Sequence, residues 1–353
     1  MSKEQTDVIK LWFLALEEQG EYIGMRFARV APGATEPEWM FPRHADYDGV
    51  GWFGDNLRRR GAELEFLPTI RHPAEPSSLG ALRVLPKYFK PKRPLKWKSL
   101  GRGPATNKCS GPPSAVAWHL FDEEATMQIR RVCRNIQVTV NSFLLKHLTK
   151  AIRPFLEDQS AAVPWMIPIN VRGKIKMERE TANATSYVRV EVQTYETVHD
   201  IHRNIYAALC RGDHWANWQG YQLGRFTTAG IRRFIIAKEL GTPQWSLGAF
   251  SNLGDWDSDK KITQPDCLGG WLVCPPVLRV QQVGIGCLTF QNRLSLTIQT
   301  HPNLTTDPSV PQTWLQDWIK EIQLDVSSFL KTIPDTQIGG WSRDQNTLAL
   351  RVA

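Results

Sequence analysis

Phe41-Pro42-Arg43-His44-Ala45-Asp46-Tyr47-Asp48-Gly49-Val50-Gly51 places a histidine, an aspartate four residues later and two glycines between an apolar extended run and a helical pattern. That order is chemically useful. A histidine at a strand end can turn its ring toward a cavity, where a near-neutral pKa suits proton transfer. Asp48, about one turn further on, points elsewhere and can tie the loop down. Gly49 and Gly51 permit positive φ or a close backbone approach that a Cβ would obstruct. The same stretch also suits a plain surface loop that happens to carry a histidine.

Around this stretch, composition bounds the answer. A chain of 353 residues, 42% of them hydrophobic, can build a sizeable core and suggests two domains rather than one. No run of about 18 apolar residues indicates a membrane-spanning helix. The N-terminus lacks a basic n-region, and Leu11–Leu16 is too short for a signal peptide and is followed at once by Glu17 and Glu18. The cysteines (109, 133, 210, 267, 274 and 287) form no CxxC pair and no zinc spacing, which predicts reduced, mostly buried thiols and a cytoplasmic protein. In that compartment the sequons at Asn183 and Asn303 carry no weight.

The formal charge of +8 is unevenly spread. Between Arg83 and Arg102 lie Arg83, Lys87, Lys90, Lys92, Arg93, Lys96, Lys98 and Arg102, with no acidic residue. Pro86, Pro91 and Pro94 make the segment irregular. Together with Tyr88, Phe89 and Trp97 it suits nucleic acid, an anionic membrane surface or the phosphates of a thioester carrier, and equally a solvated linker.

Periodicity orders the chain. A helical pattern over 3–19 precedes an extended 22–30; 38–42 leads into the histidine loop, and 50–64 reads as a helix with Trp52, Phe53 and Leu57 on one face. Proline, glycine and basic residues dominate 68–113. A strand at 114–121, a helix capped by Asp122 and a helix over 138–153 ending before Pro154 come next. Strands are predicted at 165–173 and 185–193, helices at 198–211 and 223–240. A strand at 246–250 leads into a turn, three strands cover 271–300, and a helix from Asp307-Pro308 runs to about 329. His199 and His202 share a helical face, but no third metal ligand is in spacing. His214 is a reserve site candidate within an aromatic-rich run.

Arg43-His44-Ala45-Asp46-Tyr47-Asp48-Gly49 resembles the HHxxxDG signature of the condensation-domain and chloramphenicol-acetyltransferase-like acyltransferases, a superfamily that includes wax-ester synthases. Its second histidine falls on His44, its aspartate on Asp48 and its glycine on Gly49, while Arg43 replaces the first histidine. Three further stretches match in order. Val138-Thr139-Val140-Asn141-Ser142-Phe143-Leu144-Leu145 resembles the helix that opens the second lobe. Ile167-Pro168-Ile169-Asn170-Val171-Arg172 is similar to the P-x-N-x-R segment, and Ser251-Asn252-Leu253-Gly254 to the SN-x-G turn facing the active-site tunnel.

The resemblance implies an α/β, two-lobed fold of mixed sheets flanked by helices. Its N-terminal lobe would span 1–136 and its C-terminal lobe 137–334, with a tail at 335–353. Only 43 residues precede His44, so the first lobe is expected to be abbreviated, truncated at its start, or completed by self-association or a partner chain. The resemblance also implies acyl transfer from a coenzyme A or carrier-protein pantetheine thioester to an alcohol or amine, with His44 as general base. Arg172 would pair with Asp48 to hold the loop, and Gly49 N–H, Asn170, Ser251 and Asn252 would face the substrate or the oxyanion. It implies no metal and no permanently bound cofactor.

Other chemistries find little footing. There is no GxSxG, and in Gly103-Pro104-Ala105-Thr106-Asn107-Lys108-Cys109 Asn107 and Cys109 displace the glycine and hydroxyl a phosphate loop needs. Two rivals stay open. One is a non-catalytic condensation-like module that binds a carrier protein or partner, favoured by the missing first histidine. The other is a nucleic-acid-binding protein using 83–102, disfavoured because no recognised module surrounds it.

Overall fold

The computed structural model describes residues 8–70, 95–100, 116–241, 246–256 and 262–332. In chain order the helices are α1 (Val8–Glu18), α2 (Gly49–Arg59), α3 (Glu123–Asn135), α4 (Val140–Ile152), α5 (Val198–Cys210), α6 (Asp213–Gln222), α7 (Ala229–Leu240) and α8 (Ser309–Thr332). The strands are β1 (Arg26–Val30), β2 (Glu38–Met40), β3 (Val116–Leu120), β4 (Val163–Asn170), β5 (Thr185–Val192), β6 (Gly248–Asp255), β7 (Gly270–Cys274), β8 (Val283–Phe290) and β9 (Arg293–Thr300).

Most helices start where a short polar side chain can satisfy a free N–H of the first turn. Asp48, Asp122, Thr139 and Thr228 each accept from a backbone N–H three residues on, and Thr197 forms a reciprocal capping box with Asp200. Thr228 also explains a departure from the expected single helix over 223–240. The chain there is α6, a short 3-10 turn at Leu223–Phe226 and a fresh helix capped by Thr228. A two-residue turn at Gln291-Asn292, both at positive φ, joins β8 to β9 as a hairpin.

Six strands form a mixed sheet in the order β3-β9-β8-β6-β4-β5, with β8, β6 and β4 parallel and the remaining pairs antiparallel. A second, antiparallel sheet runs β2-β1-β7. The architecture is α/β with mixed sheets, as expected. Every residue of β8 is buried, because one face of the large sheet carries α4 and α8 while β7 crosses the other. Polar bonds fasten that crossing: the Thr297 hydroxyl donates to the Val273 carbonyl and the Gln299 amide to that of Pro275.

The two sheets interlock the halves of the chain. The strand expected at 114–121 falls by sequence in the first lobe; its described part, β3, pairs instead with β9 on the edge of the large sheet. The floor beside the histidine loop is completed by β7, which brings sequence from beyond residue 269 against β1. Two apolar cores follow this division. The larger holds Phe143, Leu148, Trp165, Phe250, Trp314 and Trp318. In the smaller, Phe53 of α2 meets Trp256, Trp271 and Phe290 edge-on at 4.8, 5.2 and 5.8 Å.

Of the basic stretch only 95–100 is described, and there Trp97 is a core residue. It is 5% exposed, bridges to Leu156 and stacks on Trp314 at 5.1 Å. The remainder of that stretch, the loop at 103–109 and the tail lie outside the described residues.

Candidate active site

Chain from four places converges on His44. Its loop leaves the Gly24–Arg43 bridge and turns tightly, with the N–H groups of Asp46 and Tyr47 donating to the Arg43 carbonyl. The turn delivers Tyr47 O to 2.8 Å from His44 Nδ1. A carbonyl only accepts, so Nδ1 carries the proton and Nε2 is the basic nitrogen. The Phe13 ring of α1 lies 4.5 Å from the imidazole, and Asn183 Nδ2 donates to the His44 carbonyl at 3.0 Å. Burial pushes the His44 pKa below its ordinary value, outweighing the Tyr47 carbonyl and the Asp48 charge, which push it up. Burial therefore favours the neutral form of the ring.

Beneath the loop lies a closed polar knot. Asp48 is 1% exposed and accepts five hydrogen bonds: two from Arg172 at 2.7 and 2.8 Å, and one each from Gly51 N, Ala184 N and the Thr185 hydroxyl. Arg172, equally buried, sends its remaining N–H groups to the carbonyls of Glu180 and Ala182 and to Asn170 Oδ1. The pair is bidentate and fully solvated by protein dipoles. With every lone pair committed, Asp48 acts as a fixed anion that joins α2, β4 and the start of β5 under the histidine.

The two glycines of the motif serve unequal purposes, and neither takes positive φ. A Cβ on Gly51 would stand 2.2 Å from Thr181 O and 2.8 Å from Arg172 Nη2, so backbone and ion pair press directly on it. At Gly49 the obstacle is Leu253 Cδ2 at 2.7 Å, the far end of a mobile side chain. Gly51→Ala is expected to lower stability by about 1–3 kcal/mol, and Gly49→Ala by clearly less. Urea unfolding of both variants checks the order; equal losses would mean that the knot tolerates the intrusion.

His44, Gly49, Asn170, Ser251 and Asn252 open on one cavity of about 450 Å³. Its walls are α1 (Trp12, Phe13), the strand ends of β4, β5 and β6, residues 273–281, and the α6–α7 region. Ser251 and Asn252 lie on β6 itself, not in a turn, because β6 continues past an irregularity to pair Asp255 with Thr289. Asn170 is spent on structure: its amide donates to Pro68 O and its oxygen accepts from Arg172. Arg43, at the first-histidine position, turns outward to Glu17 at 2.6 Å and holds the loop to α1.

No protein-family model and no curated protein matches the sequence. Solved structures do. The epimerization domain from the third module of tyrocidine synthetase B aligns at a TM-score of 0.50 and 14% identity, over 82% of this chain and 69% of that one. Polyketide synthase associated protein 5 from Mycobacterium tuberculosis aligns at 0.51 and 12%, over 82% and 74%. The nonribosomal peptide synthetase FmoA3 aligns at 0.50 and 12%, over 73% of this chain and 25% of that chain. The chain has the condensation-domain fold.

Within this condensation-domain fold the other histidine candidates sit apart from the cavity. His214 is buried on α6 against Trp215, and His202 of α5 meets the Ser142 hydroxyl at 3.2 Å. Among the described residues no cluster of three His, Cys, Asp or Glu side chains is placed to hold a metal. Asn183, buried and bonded to the His44 backbone, escaped the sequence reading. Locally it is only the first residue of a sequon; its partner is 139 residues away.

Proposed function

We propose that this protein is an acyltransferase, moving an acyl group from a coenzyme A or carrier-protein thioester to an alcohol or amine. The observation that carries the reading is the state of His44: protonated at Nδ1, basic at Nε2, neutral through burial and open to an apolar cavity. As the acceptor attacks the thioester carbonyl, Nε2 takes its proton and no acyl-enzyme forms. The proton then passes from the imidazolium to the departing thiolate. Gly49 is the first residue of α2, where N–H groups lack intrahelical partners, and with Ser251 or Asn252 it would stabilise the oxyanion.

Incubation with acyl-CoA and a panel of alcohols and amines, following free thiol, tests the reading. Acceptor-dependent thiol release supports it. Release with no acceptor, or none with any donor, returns the chain to the binding-module reading.

The His44 environment also sets a pH dependence. Its folded pKa lies below the ordinary 6.5, so the acid limb of kcat/KM should fall below that value and the profile stay flat at neutrality. Between the two values the unfolded chain binds the proton and the folded chain does not, so this site costs stability as pH falls below 6.5. An acid limb above pH 7 in initial-rate measurements would mean that the imidazole is stabilised in its charged form.

A further inference from the structure

Among the described residues, exposed apolar side chains concentrate in one segment that also contributes to the cavity wall. Of eleven large hydrophobic side chains that stand out in solvent, five fall within residues 223–235: Leu223, Phe226, Ile231, Phe234 and Ile235. Phe226 and Phe234 are 80% and 69% exposed. Scattered exposed apolar residues are ordinary, but a cluster of this kind marks an interaction surface.

Helix α7 shows that the cluster is not spill-over from a core. Its Ile236 and Leu240 already pack against Ala15 of α1, so the helix is anchored by that face. Ile231, Phe234 and Ile235, spaced i, i+3 and i+4, form a second apolar stripe, and Phe226 is exposed in the turn that precedes the helix. Arg232 braces that turn by bonding Gly224 O and Thr227. The exposed charges within the segment itself are basic, with Glu18 of α1 beside Arg233. Arg225, Arg233 and Lys238 are exposed, while Glu239, the segment's acidic residue, is half-buried and lines the cavity. Arg233 has only an open contact to Glu18 at 3.5 Å.

Protruding phenylalanines with arginine and lysine beside them suit an anionic lipid surface, where apolar rings enter the acyl boundary and basic groups meet the headgroups. We propose that the 223–238 face docks on an anionic phospholipid membrane, its phenylalanines entering the acyl boundary and its basic rim meeting the headgroups. No helix among the described residues is long and apolar enough to cross a membrane, so contact would be peripheral. Charge complementarity selects this occupant, and so does continuity with the cavity. Leu223 and Ile235 belong both to the exposed face and to the cavity wall, which gives an apolar chain a dry route from bilayer to interior. The docking stands whether or not His44 transfers acyl groups.

Co-sedimentation of the full chain with phosphatidylcholine vesicles, with and without phosphatidylglycerol, tests the proposal. Binding is expected to need phosphatidylglycerol and to weaken with added salt. Phe226→Ser with Phe234→Ser should weaken it about tenfold or more, with an unchanged circular dichroism spectrum. Arg225→Glu with Lys238→Glu should remove the preference for anionic vesicles. Failure of the wild type to bind, or equal binding by the phenylalanine variant, overturns the proposal. So does self-association that this variant abolishes in a protein that ignores vesicles, since the face would then belong to a second copy.

Discussion

His44→Ala is expected to lower thioester-dependent turnover by about 10²–10⁴-fold and to leave the unfolding transition nearly where it was. The asymmetry follows from what the side chain touches. Its one hydrogen bond at normal length goes to the Tyr47 carbonyl, worth about 1 kcal/mol net. The loop is held independently by the Asp48–Arg172 knot below and by Lys10–Asp46 and Arg43–Glu17 at the surface. Chemistry has no such reserve. Among the described lining residues His44 is the imidazole, and Asp48 cannot substitute because its oxygens are committed. Initial rates of thiol release, with unfolding curves on the same preparations, decide the matter. Near-normal turnover would remove His44 as the base and with it the proposed mechanism.

The Asp48–Arg172 pair carries the largest expected effect on stability. Removing either partner strands a charge that is almost wholly buried, which costs about 3–5 kcal/mol. The two losses have different texture. Without Arg172, Asp48 keeps three donors and still caps α2; without Asp48, the helix loses its cap and the guanidinium faces only neutral oxygens. Asp48→Ala should therefore be the more damaging single change. Asp48→Ala with Arg172→Ala should cost less than the sum of the singles, because the double variant buries no unpaired charge. Urea unfolding of the four proteins completes the cycle. Strict additivity would show that the two side chains do not act as partners.

Activity should follow the same cycle for a geometric reason. The knot lies under the turn that presents Tyr47 O to His44, and a displacement of about 1 Å at a reacting group can cost roughly 10²-fold in rate. Lys10–Asp46 and Arg43–Glu17 are open to solvent and each contribute about 1 kcal/mol or less, so they cannot hold the turn alone.

Local signals in the sequence determined a good deal. The HxxxDG spacing puts the aspartate at an N-cap and the histidine in the turn before it, an arrangement made by neighbours in the chain. Asp122 announces its helix for the same reason, since a cap needs only the next three residues, and the structure adds Thr139 and Thr197 as caps of the same kind. The resemblance to condensation-type acyltransferases rested on such short, ordered stretches, and the α/β fold of mixed sheets agrees with it. What only the tertiary structure decided involves partners far apart in the chain. The 114–121 strand had no local mark that sent it to β9 rather than to the histidine floor, and β7 none that sent it to β1. Asn183 read as an empty sequon because its bond to His44 spans 139 residues. Gly51 was legible as a close approach, but not as the point where Thr181 and Arg172 press. Periodicity reports which face of an element is buried; which element covers it depends on long-range pairing and shape, and those exist only once the chain has folded.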